Sequence, residues 1–203
     1  MSEQFNSSEL AVFTTREFAG LAGISVAAAS KRLRRRRENS RSLVLLTRGV
    51  WANTGHPGFS PMSCVPVLTG NEQGYVSFLS ALHVHGAVSQ IPGSIQVATT
   101  GHTRKLRTPV GTFDFLQMKP DMFLHGIEWS ETTRPFRIAT VEKALLDTLY
   151  VSTRKSRRFA RLPELSLEDA GFDTARYRAL LKNHKLSVPI ARAMEARLRT
   201  VAA

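Results

Sequence analysis

Residues 14–36 read TTREFAGLAGISVAAASKRLRRR, and this stretch decides the fold predicted for the N-terminal part of the chain. Its first residue is a threonine that can cap a helix, and Glu17, three residues later, can complete a capping box. Gly23 suits the left-handed position that ends many helices. Ser25 caps a second helix, which continues to about Arg36. Two helices joined by so short a turn predict a helix-turn-helix.

The internal face of this helix pair falls on small or aliphatic side chains, Ala19, Ile24, Ala29 and Leu33. Arg32 stands where many such helices carry an aliphatic residue, so Leu33 must do that packing alone. A recognition helix places its N-terminal residues at base edges and its cations at phosphates. The side chains expected on or beside the outward face are Ser25, Val26, Ala27, Ser30, Lys31, Arg34, Arg35 and Arg36.

A strand, a tight turn and a second strand follow the basic helix. Residues 43–46 and 50–52 are apolar, and residues 47–49, Thr-Arg-Gly, form the turn between them. This order describes a wing, so residues 13–52 predict a winged helix-turn-helix within an N-terminal domain, residues 1–55. Arg41 and Arg48 join the predicted DNA contacts, whereas Trp51 is interpreted as a core anchor under the wing.

The formal charge of +12 calls for a polyanionic partner, and its distribution is uneven. Residues 1–55 carry +5, residues 56–153 are neutral, and residues 154–203 carry +7. Charge alone fits RNA or acidic lipid as well as DNA, and the arginine run alone could be a solvated helix face. The first ten residues do not read as a signal peptide, no apolar run is long enough for a membrane span, and the single cysteine, Cys64, fits a reducing cytoplasm.

The rest of the chain predicts a mixed α/β domain, residues 74–203, after a linker rich in Pro and Gly, residues 56–73. The predicted class is therefore α+β: a winged helix-turn-helix, a mixed α/β domain and a helical C-terminal tail. Helices are expected at 78–85 with Ser77 as the cap, and at 141–151 with Thr140 as the cap. Strands are expected at 95–99, 112–116, 127–129 and 136–138, and further helices at 166–170, 174–184 and 187–201.

The sequence contains no recognisable set of residues arranged for catalysis, and no catalytic residue, metal ligand or cofactor is predicted. Asp114 and the Glu142–Lys143 pair come nearest to a nuclease site, but adjacent helical residues diverge, and Lys143 is expected to be solvated. His83 and His85, two apart on a helix, are interpreted as structural. The polar hairpin end at 99–105 leaves two interpretations open: no function, or a second DNA or effector contact through Arg104, Lys105 and Arg107.

In the order of its parts the chain resembles the AbiE-type, abortive-infection antitoxins of bacterial type IV toxin–antitoxin systems. The resemblance covers roughly residues 13–150. It rests on FTTREFA at 13–19 with GIS at 23–25, RGVW at 48–51, YVSFLSALHVHG at 75–86, VATTG at 97–101 leading into Arg104–Lys105, and IATVEKALLD at 138–147. Residues after Arg161 match no family pattern.

This resemblance implies a winged-helix repressor that binds repeats in the promoter of its own operon. It also implies a C-terminal domain that opposes a nucleotidyltransferase-like toxin encoded nearby, without a stable complex between the two proteins. The sequence therefore predicts a cytoplasmic DNA-binding autoregulator and antitoxin that is not an enzyme. Two alternatives remain: a stand-alone transcriptional regulator and a DNA-processing nuclease.

Overall fold

A computed structural model describes residues 10–154, 158–184 and 186–201, and its architecture is mixed α+β. Seven α-helices and two β-sheets lie within these residues. No helix in the described part of the chain is both long and apolar enough to cross a membrane. The prediction for the first ten residues falls outside this part, apart from Leu10.

The N-terminal part contains a helix pair and a three-stranded antiparallel sheet. Its elements are β1 Val12–Thr14, α1 Thr15–Ala22, α2 Val26–Glu38, β2 Leu43–Thr47 and β3 Val50–Asn53, and the strand order is β1-β3-β2. Strand β1 was not predicted from the sequence. Helix α2 runs two residues beyond the predicted end because Asn39 caps it, its side-chain amide donating to the Arg35 carbonyl.

The stretch predicted as a linker is instead helical and packed. It forms a 3-10 helix, Pro61–Cys64, and helix α3, Val65–Thr69, and the side chains of Cys64 and Val65 are buried. Its apolar residues cover the face of the small sheet that points away from α1 and α2. That face carries Val12, Val44 and Ala52, which join the same hydrophobic core as the C-terminal part. The small sheet is therefore buried on both faces.

The C-terminal part is built on a six-stranded sheet. Its strands are β4 Gly74–Val76, β5 Ile95–Thr99, β6 Arg104–Thr108, β7 Gly111–Gln117, β8 Ile127–Trp129 and β9 Arg137–Ala139. The order is β6-β7-β5-β4-β9-β8, with β5–β7 and β4–β9 parallel and the other neighbours antiparallel. The predictions for β5, β7 and β8 are confirmed and β9 lies one residue from its predicted place, whereas β4 and β6 were not predicted as strands.

Four helices complete this part: α4 Phe78–Val84, α5 Val141–Ser152, α6 Thr174–Asn183 and α7 Val188–Val201. Thr140 caps α5, as predicted, and Asp173 caps α6. All twelve residues of α5 are buried, because α4, α6, α7 and the sheet surround it. The helix predicted at 166–170 is wrong: residues 167–170 form turns, and Gly171 ends the segment after one turn with a φ of 67°.

The predicted cap at Ser77 is also wrong. Its side chain makes no capping hydrogen bond to α4, and its hydroxyl donates instead to the carboxylate of Asp147 at 2.8 Å. The next residue, Phe78, has a φ of 56°, which is costly for an aromatic residue. This turn directs the Ser77 hydroxyl away from the helix and into the core.

Candidate nucleic-acid interface

Helices α1 and α2 are positioned by the caps and the small core residues that the sequence indicates. Thr14 and Glu17 form the predicted capping box, and Gly23 adopts the left-handed conformation with a φ of 64°. Ser25 Oγ accepts a hydrogen bond from the backbone N–H of Ala28. The side chains that hold the two helices together against the small sheet are Phe13, Phe18, Ala19, Ala29, Leu33, Leu43 and Trp51.

Arg32 departs from the aliphatic pattern, and the structure gives the reason. Its guanidinium lies over the ring of Phe18, 5.7 Å from the ring centroid. A cation placed over an aromatic face is attracted by the electron density of the ring. The arginine therefore contributes to the packing between the helices, and the expectation that Leu33 packs alone is wrong.

The outward face of α2 carries small residues toward its N-terminus and cations beyond them. A helix turns about 100° per residue, so Ala27, Lys31, Arg34 and Arg35 lie opposite the buried pair Ala29 and Leu33. All four outward residues are exposed. This face points away from the small sheet.

Three of the predicted contacts fall off this face, and Val26 is one of them because it stands about two helical turns before the buried Leu33. Ser30 is half-buried on the flank of α2. Arg36 is exposed, but by the spacing of the helix it lies toward the packed side. Arg41 is exposed in the segment that connects α2 to β2. Ser25 and Val26 are exposed where α2 begins.

The turn between β2 and β3 is joined to the beginning of α1. The Thr15 backbone N–H donates to the Gly49 carbonyl at 2.8 Å, and the Trp51 indole N–H donates to the Thr15 hydroxyl at 2.9 Å. Trp51 is buried, so its prediction as a core anchor is confirmed. The turn consists of Arg48 and Gly49 alone, and it does not extend far beyond the sheet.

Arg16 is a cation at this surface that was not singled out from the sequence. It is exposed at the beginning of α1, one residue after the Thr15 that binds the turn containing Arg48. Its position directly after a helix cap could have indicated it. Arg134 adds a cation near the same helix through an ion pair with Glu17 at 3.7 Å.

The predicted second basic contact is divided between the two faces of the large sheet. The Arg104 guanidinium pairs with Glu72 at 2.9 Å, donates to the Leu68 carbonyl and lies over the Phe115 ring. Arg104 is therefore a packing residue. Lys105 and Arg107 point to the opposite face, because successive side chains of a strand alternate, and they are exposed.

The IATVEKALLD segment forms the polar centre of the core. The Lys143 ammonium pairs with the Asp147 carboxylate and donates to the Tyr75 hydroxyl at 2.8 Å. Tyr75 and Ser77 each donate to Asp147 at 2.8 Å. The side chains of Lys143 and Asp147 are 0% exposed, so the prediction of a solvated Lys143 is wrong.

Burial governs the acid–base properties of this cluster. Burial lowers the pKa of Lys143, and the Asp147 charge opposes that effect. Burial and the Asp147 carboxylate raise the pKa of Tyr75 well above its ordinary value. Two surface cavities, one beside Leu167 and one beside Ile91, are lined by other residues than Tyr75, Lys143 and Asp147. The hydrogen bonds of Lys143 and Asp147, on α5, to Tyr75, on β4, link this helix to the sheet.

The remaining candidates for chemistry have structural partners. Asp114 pairs with Arg158 at 2.9 Å, and Glu142 accepts a hydrogen bond from the Asp173 backbone, so Glu142 holds the beginning of α6. His83 and His85 bond separate backbone carbonyls, those of Val88 and Ala139. Within residues 10–154, 158–184 and 186–201, no group of three His, Cys, Asp or Glu side chains could hold a metal ion.

Comparisons with models of known protein families and with curated protein sequences give no match for this chain. A function has to be inferred from its own residues. The exposed basic face of α2 is the feature that best supports one.

Proposed function

We propose that this protein binds double-stranded DNA through a winged helix-turn-helix in which α2 is the recognition helix. The observation that carries the proposal is the outward face of α2, where Ala27 comes first and the cations Lys31, Arg34 and Arg35 follow. A recognition helix needs small side chains where it approaches the bases and cations where it meets the phosphates.

The cations around α2 support a phosphate-binding surface wider than one helix. Arg16 and Arg48 are exposed on the two segments that the Thr15–Gly49 hydrogen bond joins, so both add positive charge to this surface. Contacts of this kind position a protein on DNA without reading the sequence. The base-reading residues should therefore lie at the beginning of α2.

We further propose that the DNA is the promoter of the protein's own operon and that the protein is a type IV antitoxin. This part depends on the resemblance to the AbiE-type antitoxins. Two of the resembling segments, residues 75–86 and 138–147, contribute Tyr75, Lys143 and Asp147 to the buried cluster. The resemblance there supports a shared C-terminal fold and does not by itself identify a site that opposes a toxin.

Binding of the full-length protein to its upstream promoter DNA tests the first part of the proposal. Fluorescence anisotropy should show that Lys31→Ala and Arg34→Ala each weaken binding by about tenfold, the lower range for a charge-assisted hydrogen bond. Lys182→Ala, which removes an exposed lysine near the end of α6, is the matched control and should bind as the wild type does. Equal affinity of all four proteins would contradict the role of α2.

Co-expression in cells tests the antitoxin part separately. The protein should restore growth to cells that express the neighbouring nucleotidyltransferase-like gene, and a double Lys31→Ala/Arg34→Ala variant should also restore it, because the DNA-binding face is separate from the C-terminal part. Specific promoter binding without rescue would instead indicate a stand-alone regulator. DNA cleavage that depends on a divalent metal would indicate a nuclease.

A further inference from the structure

The exposed residues in the first turn of α2 are apolar: Ala27 lies on the outward face, and Val26, two turns before Leu33, is exposed where the packed side of the helix begins. Val26 is 50% exposed although its side chain is wholly hydrocarbon, and Ala27 and Ala28 beside it are exposed as well. The Ser25 hydroxyl oxygen already accepts the Ala28 N–H, and Ser30 is half-buried. The part of α2 that would enter the major groove first therefore offers methyl groups beside the Ser25 hydroxyl, which keeps its proton to donate.

We infer that α2 reads thymine, through contact of Val26 and Ala27 with C5-methyl groups in the major groove; this inference rests on the proposed DNA binding. Of the four bases, thymine presents an apolar group at the major-groove edge. Guanine, adenine and cytosine present hydrogen-bonding groups, and the side chains that pair with them best are arginine, asparagine, glutamine and the acids. None of these lies between Ser25 and Ser30.

The apolar part of the outward face of α2 ends at Lys31. It is the first outward side chain of the helix that carries a hydrogen-bond donor and a charge, one turn after Ala27. A base contact by Lys31 would select guanine, and a phosphate contact would select no base. The operator should accordingly contain thymines at the positions nearest the beginning of α2.

This reading also separates DNA from RNA. Uracil lacks the C5 methyl group, and the major groove of an RNA helix is too deep and narrow for side chains to read. The apolar side chains of the first turn of α2 would therefore find no methyl group to contact in an RNA duplex. The inference therefore favours DNA over the RNA partner that the arginine run alone would allow.

Replacement of thymine by deoxyuridine tests the inference without altering the protein. A duplex selected by the full-length wild type from a random library would be made with uracil in place of thymine, one position at a time. Each contacted methyl should contribute about fourfold to affinity, as expected for one buried carbon group. Uracil outside the protected region should have no effect.

Two valine variants link the effect to α2. Val26→Ala should weaken binding to the thymine duplex and should cause little further loss on the uracil duplex, because the methyl partner is already absent. Val84→Ala is the matched control, since Val84 is 49% exposed at the end of α4. It should behave as the wild type does on both duplexes.

The outcomes distinguish this inference from the function on which it depends. Selection of a specific duplex that tolerates uracil at every position would overturn thymine reading and leave DNA binding in place. Failure to select any duplex, or equal binding of RNA and DNA, would overturn the proposed function and this inference with it. A uracil penalty that persists unchanged in Val26→Ala would assign the methyl contact to another residue and contradict the role given to Val26.

Discussion

Replacement of Lys143 by methionine should strongly destabilise the protein. Methionine has a similar length but no ammonium group, so the Asp147 carboxylate would stay buried without its cation. Breaking a buried ion pair by removing one partner costs about 3–5 kcal/mol. The Tyr75 and Ser77 hydroxyls still donate to Asp147, which places the expected loss near the lower end, about 3 kcal/mol.

Urea unfolding followed by circular dichroism measures this loss. The midpoint should fall in Lys143→Met with little change in slope, because a similar surface is exposed on unfolding. Lys105→Met is the matched control, since Lys105 is exposed, and it should change the free energy of unfolding by less than about 0.5 kcal/mol. The double variant Lys143→Met/Asp147→Leu should lose less than the sum of the two single variants, because it leaves no unpaired charge.

A small effect would refute this account of the core. If Lys143→Met cost less than about 1 kcal/mol, comparable to Lys105→Met, the ammonium of Lys143 would have to reach water. The cluster of Tyr75, Lys143 and Asp147 would then not link α5 to the sheet as described.

Three further predictions concern stability. Trp51→Phe removes the hydrogen bond to the Thr15 hydroxyl and should lower the free energy of unfolding by about 1–2 kcal/mol, measured by urea unfolding. Burial lowers the pKa of His184, so as the pH falls the unfolded state takes up this proton before the folded state does. The urea concentration at the unfolding midpoint should therefore decrease as the pH is lowered from about 7.5 to about 5, and it should decrease less in His184→Gln. A fragment of residues 10–55 should be less structured by circular dichroism than residues 10–70, because only the longer one covers the second face of the small sheet; equal structure would contradict that packing.

Local signals in the sequence predicted the helix pair well. The capping box at Thr14 and Glu17, the left-handed Gly23 and the Ser25 cap each act within a few residues, so the pattern can be read directly from the chain. The buried small residues Ala29 and Leu33 follow from helical spacing alone. The exposure of the predicted contacts on α2 follows in turn, with Ser30 as the exception.

The predictions that failed depend on partners far away in the chain. Ser77 was predicted to cap a helix, but its hydroxyl instead donates a hydrogen bond to the carboxylate of Asp147, seventy residues later. Lys143 looked solvated beside Glu142, because nothing near it in the sequence indicates a buried anion one helical turn away in a fully enclosed helix. The packing of Arg104 against Glu72 and Phe115 could not be read from the hairpin residues either, because Glu72 lies 32 residues away. Tertiary packing determines these roles.

The single cysteine makes a direct test of the central claim practical. Cys64 is buried, and burial raises the pKa of its thiol to about 12, so it should not react with thiol reagents in the folded protein. A cysteine introduced by Ala27→Cys lies on the outward face of α2 and can carry an iron–EDTA group that cleaves nearby DNA. Ala179→Cys, exposed on α6, provides the matched control.

The decisive measurement is the cleavage pattern of these two conjugates on the promoter DNA. If α2 is the recognition helix, the Ala27→Cys conjugate should cut within the protected site, at the base pairs that α2 faces, and the Ala179→Cys conjugate should cut outside it or not at all. Cleavage inside the site by the Ala179→Cys conjugate, with none from the Ala27→Cys conjugate, would contradict the assignment of DNA recognition to α2.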